Sequence, residues 1–105
     1  MGDEQMNKKL MTPAVNNLFE AILTWKDKEE CYIFFEDICT VKEIQAISQR
    51  LQVVKLLIKN KTYHEIEAET GASTATISRI NRSLNYGSDG YKLVLKRLGY
   101  ISEEE

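Results

Sequence analysis

With 105 residues, a formal net charge of −2 and 29% charged side chains, the chain has room for one domain with a core, and its charge balance excludes a non-specific polybasic binder. No apolar run reaches the roughly 18 residues that a membrane span needs, and the polar start Met1-Gly2-Asp3-Glu4-Gln5 lacks the apolar stretch of a signal peptide. A cytoplasmic protein without membrane contact is expected. Cys31 and Cys39 are too few for a disulfide scaffold and have no CxxC or histidine spacing for zinc. Both read as small buried hydrophobes, and no metal or cofactor is expected.

Residues 1–11 read as a polar tail. Thr12 then caps a first helix with Pro13 at its first position, and Val15, Leu18, Phe19, Ile22 and Leu23 recur at helical spacing in a one-sided stripe that ends near Lys26. The second helix is different, because Cys31, Tyr32, Ile33, Phe34, Phe35, Ile38 and Cys39 make it apolar almost all the way round. So short a chain has few elements to cover such a helix. The pattern points to a homodimer with N-terminal helices packed across a two-fold, the alternative being a monomer with a well-wrapped central helix. Thr40 and Glu43 form a capping box that starts the longest helix, which runs to about Lys59 with Ile44, Ile47, Leu51, Val54 and Ile58 on one side.

After the short link Asn60-Lys61, the residues from Thr62 to Leu84 read as a helix-turn-helix. Thr62 with Glu65 makes a second capping box, Gly71 suits the φ > 0 of a helix end, and Ser73 with Thr76 opens the next helix. Ile66, Ala72, Ile77 and Ile80 fall where a tight two-helix corner needs apolar groups. A rotation of about 100° per residue puts Ile77, Ile80 and Leu84 on one face and turns Ala75, Ser78, Arg79 and Arg82 away from it. Such a surface suits close approach to a DNA major groove, with arginine forking onto guanine or phosphate. Thr74 and Thr76, beside the free amides of the helix start, suit phosphate, and Thr62, Tyr63 and Ser73 complete the expected DNA-facing set. Charge follows the same division: residues 1–39 hold 4 Lys/Arg against 8 Asp/Glu, residues 40–98 hold 10 against 5, and residues 99–105 hold 0 against 3. Positive charge is therefore concentrated in the segment that carries the motif.

Asn85-Tyr86-Gly87-Ser88 is a turn, and Ser88 is expected to cap a last helix through Tyr91, Val94, Leu95 and Leu98 before Gly99 stops it. The expected organisation is a tail over 1–11, one domain over 12–98 and an acidic tail over 99–105. An enzyme is not expected, since His64 is the single histidine and reads as a surface residue without catalytic partners, and there is no phosphate-cradling loop or ligand cluster. The other class left open is a dimeric helical protein-interaction module that does not bind DNA.

The stretches Thr40–Glu43, Arg50, Asn60-Lys61, Thr70–Arg79 and Ser83-Leu84 together resemble the tryptophan repressor superfamily. Phe34–Cys39, followed by Thr40–Ile44 and by Gly71–Arg79, is similar to its small YerC/YecD branch, and the resemblance covers most of residues 13–98. It implies an all-α chain of six helices, an intertwined homodimer, and operator binding on double-stranded DNA by a transcriptional repressor. In the tryptophan-responsive members two arginines sandwich the corepressor's indole; Arg50 and Arg79 match them, and Thr40 and Ser83 match further pocket positions. Ile80 stands where those members have glycine. A side chain larger by four carbons overfills such a site at a cost of about 1–3 kcal/mol, so the pocket reads as vestigial, tryptophan is not the expected corepressor, and a small-molecule effector is left unassigned.

Overall fold

The computed structural model describes residues 8–102, which form six α-helices after a 3-10 turn at Lys8–Leu10, with no strand among the described residues. In chain order these are α1 (Pro13–Ile22), α2 (Lys28–Ile38), α3 (Val41–Ile58), α4 (Tyr63–Thr70), α5 (Thr74–Tyr86) and α6 (Gly90–Arg97). The expected all-α class with six helices is the one observed. Of the tails expected over 1–11 and 99–105, residues 1–7 and 103–105 lie outside the described residues, and Lys8–Leu10, read as part of the first tail, makes the short turn. The chain divides into two compact units, 1–44 and 45–105, with the boundary within α3.

In the first unit, Thr12 caps α1 as expected, its Oγ1 accepting from the Val15 amide at 3.2 Å with Pro13 at the first helical position. The helix ends at Ile22, short of Lys26. A reciprocal cap absent from the sequence reading starts α2 a few residues later: Asp27 Oδ1 accepts from the Glu30 amide at 3.0 Å while Glu30 Oε1 accepts from the Lys26 amide at 3.0 Å. Trp25, between the helices, sets its ring against Phe34 at 5.5 Å and Phe35 at 5.2 Å between centroids. Neither α1 nor α2 has a fully buried residue. Cys31 and Cys39 are free thiols and half-buried, where full burial was expected, because the apolar circumference of α2 is incompletely covered within the chain.

The second unit holds the core: Val53, Val54, Ile66, Ala72, Ile77, Ile80, Leu84 and Leu95. The stripe expected on α3 shifts toward its C-terminal half, for Ile47 is exposed and Val53, not placed in the stripe, is fully buried. Burial follows the elements that pack against a helix, and here the core residues of α4, α5 and α6 join Val53 and Val54. Helix α5 ends at Gly87, where a Cβ would meet the Ser83 carbonyl oxygen, so only glycine permits that close approach. The cap expected from Ser88 is displaced by one residue. Asp89 is the N-cap of α6, at φ +65 and without a side-chain cap bond, a left-handed conformation that aspartate tolerates better than most residues.

The boxes expected at Thr40 and Thr62 are both present. Glu43 Oε1 accepts from the Thr40 amide at 2.8 Å, and Glu65 Oε1 accepts from the Thr62 amide at 2.9 Å. Each threonine Oγ1 accepts in return from the glutamate amide at 3.1 Å. The bonds from Thr40 and Thr62 hold the Glu43 and Glu65 carboxyls below the usual glutamate value. Because the unfolded chain then protonates first, the stabilisation is complete above about pH 4.3 and is lost as pH falls through the lower folded values. Melting temperatures measured across the acid range should therefore fall less steeply for Glu65→Gln than for the wild type; parallel curves would remove the box from the account.

Candidate nucleic-acid interface

The corner between α4 and α5 is built from short-range polar bonds over an apolar wedge. Gly71 ends α4 at φ +77, its amide donating to the Glu67 carbonyl at 2.9 Å. Thr70 Oγ1 donates to the Ile66 carbonyl at 2.7 Å and accepts from the Ala72 amide at 3.2 Å. Ser73 then caps α5, accepting from the Thr76 amide at 3.1 Å and donating to Thr76 Oγ1 at 3.0 Å. Beneath these bonds Ile66 and Ile77 are 0% exposed and Ala72 is 2% exposed. The four apolar positions assigned to the corner are thus all in the core.

The outer face of α5 carries the expected residues: Ala75, Ser78, Arg79 and Arg82 are exposed, as is Thr74 at its first turn. Four others have structural work. Thr76 is half-buried, and its hydroxyl accepts from Ser73 and, at 3.5 Å, from Arg79 Nη2. Thr62 and Ser73 use their side chains on helix caps, and Tyr63 is half-buried against the core. The exposed hydroxyls and cations of this surface are therefore Thr74, Ser78, Arg79 and Arg82. His64 is exposed on α4, as expected. Among the described residues no cluster of His, Cys, Asp and Glu could hold a metal ion, and no helix is long and apolar enough to cross a membrane.

On the flank of α5, between its outer and buried faces, lies a cavity of about 450 Å³ lined by Ala46, Gln49 and Arg50 of α3, Thr76, Arg79, Ile80 and Ser83 of α5, and Tyr91 of α6. Arg50, Arg79, Ile80 and Ser83, grouped by resemblance, do line one space. Thr40 uses its side chain to cap α3. Ile80 is only 6% exposed, its bulk belonging to the core, and the cavity remains open beside it. The steric objection expected from its size applies to the floor it occupies and not to the whole space. Gln49 and Tyr91 were missed, because nothing in their spacing shows that α3 and α6 border α5 at this level.

The model of the Trp repressor protein family matches residues 14–99. This chain belongs to that family. It is 56% identical over 90 residues to YerC of Bacillus subtilis, covering 86% of each chain. Among solved structures, a TrpR-like protein from Eubacterium eligens is 58% identical with a TM-score of 0.87, over 92% of this chain and 100% of that one. A Staphylococcus aureus protein described as a candidate Trp repressor is 54% identical with a TM-score of 0.85, over 90% and 94% of the two chains. In this Trp repressor family member the matched segment takes in α2 to α6 and all of α1 but Pro13, and with them both the α4–α5 corner and the cavity.

Proposed function

We propose that the protein is a sequence-specific DNA-binding transcriptional regulator, a repressor, that acts in the cytoplasm as a homodimer and lays α5 in the major groove. The observation that carries the reading is the outer face of α5, where Arg79 and Arg82 stand exposed with Ser78 and Ala75 on a helix whose opposite face, Ile77, Ile80 and Leu84, is buried. A rigid helix with small residues between two arginines can come close enough to base edges for bidentate bonds. The excess of Lys/Arg over residues 40–98, 10 against 5 Asp/Glu, gives the phosphate attraction such docking needs. Regulation and not catalysis is the role the family suggests.

The homodimer is supported by what α1 and α2 leave uncovered. Phe19, Tyr32, Ile33 and Ile38 are all more than half exposed within the chain, and large apolar side chains exposed together mark an interaction surface. Members of the family usually bind DNA as dimers, and a second copy presents the same surface to this one.

Arg79→Ala and Arg82→Ala should each weaken duplex binding measured by fluorescence anisotropy, by about 1–3 kcal/mol where the side chain reaches a base edge. Affinity unchanged in both variants would refute the face assignment, and a wild-type protein with no salt-dependent duplex binding at all would favour a protein-interaction module.

Light scattering should give twice the chain mass of 12.1 kDa, and Phe34→Asp should lose folding and association together, since an unpaired charge in an apolar interface is costly. A monomer across micromolar concentrations would sink the dimer.

The cavity bears on the effector. The cavity stays open beside Ile80, but Ile80 fills the floor that is glycine in the tryptophan-responsive members and so takes the indole's seat between Arg50 and Arg79; L-tryptophan should change neither melting temperature nor duplex affinity, having no state to favour. Calorimetry that detected micromolar tryptophan binding would restore a tryptophan-responsive repressor.

A further inference from the structure

We propose that Gln49 is a positioning residue for the DNA-reading helix, holding the α4–α5 turn from α3 through a hydrogen bond to the Thr70 carbonyl. The inference rests on the DNA-binding reading of α5 given above. Gln49 Nε2 donates to the Thr70 carbonyl oxygen at 3.1 Å across 21 residues of sequence, where the capping bonds of the corner span three or four. Thr70 is the last residue of α4, so its carbonyl is one of those a helix end leaves without an intrahelical donor. The turn meets its other needs by itself, with the Gly71 amide on the Glu67 carbonyl and the Ala72 amide on Thr70 Oγ1. The Thr70 carbonyl is the point at which an outside element takes hold.

That point is the pivot of the corner. The chain leaves Thr70 through Gly71 in its left-handed conformation and enters α5 three residues later, so a change at this peptide rotates the whole of α5. Arg82 lies nine residues beyond the Ser73 cap, about 13 Å along the helix at 1.5 Å per residue. A tilt of about 10° at the pivot therefore moves its base by about 2 Å, more than the tolerance of a hydrogen bond to a base edge. The buried wedge of Ile66 and Ile77 keeps the two helices together, but apolar contact is non-directional. A hydrogen bond from α3 supplies direction.

The test compares wild type with Gln49→Met, which keeps length and neutrality without the donor, and Gln49→Lys, which keeps an N–H donor of similar reach. Affinities are measured for a duplex enriched from a random pool by the wild-type protein and for random duplex, well below the melting temperature of each variant. The loss of one net hydrogen bond corresponds to about a fivefold drop for Gln49→Met on the enriched duplex, with random-duplex affinity unchanged and faster hydrogen exchange at the Gly71 and Ala72 amides. Gln49→Lys should recover the ratio of the two affinities although its charge raises both. A merely stabilising Gln49 would lower the melting temperature with the ratio intact, and that result, or turn amides exchanging as in wild type, would overturn the proposal. If the wild type enriches no duplex, the DNA reading fails instead, and the exchange of the two turn amides alone decides whether Gln49 holds the turn.

Discussion

Ile66 and Ile77 lie on either side of Gly71, both wholly removed from solvent, and they can meet only because the chain reverses through a left-handed residue between them. Apart from Gly71 and its two chain neighbours, no atom lies within 4 Å of where a Cβ on Gly71 would stand, so space is not what demands glycine there. The demand is conformational: φ +77 costs an ordinary L-residue about 1–2 kcal/mol. With that reversal in place, Val53 and Val54 of α3 and Leu95 of α6 close over the same wedge, and the outward face of α5 is determined by what its inward face buries. The arginines are exposed because Ile77, Ile80 and Leu84 are not.

The two units of the chain put their apolar residues to different uses. The second buries eight residues, caps α4 and α5 through Thr62 and Ser73, and ties the end of α4 to α3 by the bond from Gln49. The first has well-capped helices and an aromatic contact around Trp25, yet no buried residue in either helix. Helical structure there is specified by Thr12, Pro13, Asp27 and Glu30, while the apolar circumference of α2 lies largely on the chain's surface. A cavity of mixed polar and apolar lining beside α5, with two arginines at its wall, adds a second surface of that helix that is not core.

Much of the site was legible because its determinants are local. Thr62 with Glu65, and Ser73 with Thr76, form bonds between residues three apart, and Gly71 acts through its own φ. Where these rules met competition they were less decisive. Ser88 and Asp89 are both cap-forming residue types, and only the backbone at Asp89 resolved the choice. The α2 start was missed because Asp27 and Glu30 precede the conspicuous apolar run instead of lying in it. Thr76 and Tyr63 shared the polar pattern of a DNA-facing residue while being drawn partly inward.

By itself, then, the sequence determined the helices, most of their caps, the reversal at Gly71 and the two faces of α5, since each depends on interactions within about one turn of helix and on helical periodicity. Tertiary structure alone decided that Val53 and not Ile47 reaches the core, that Ile80 leaves the cavity open, and that Gln49 meets the Thr70 carbonyl. Those outcomes depend on where helices far apart in sequence come to lie against one another. Residue spacing says which side of a helix is apolar, but the crossing geometry says which part of that side is covered.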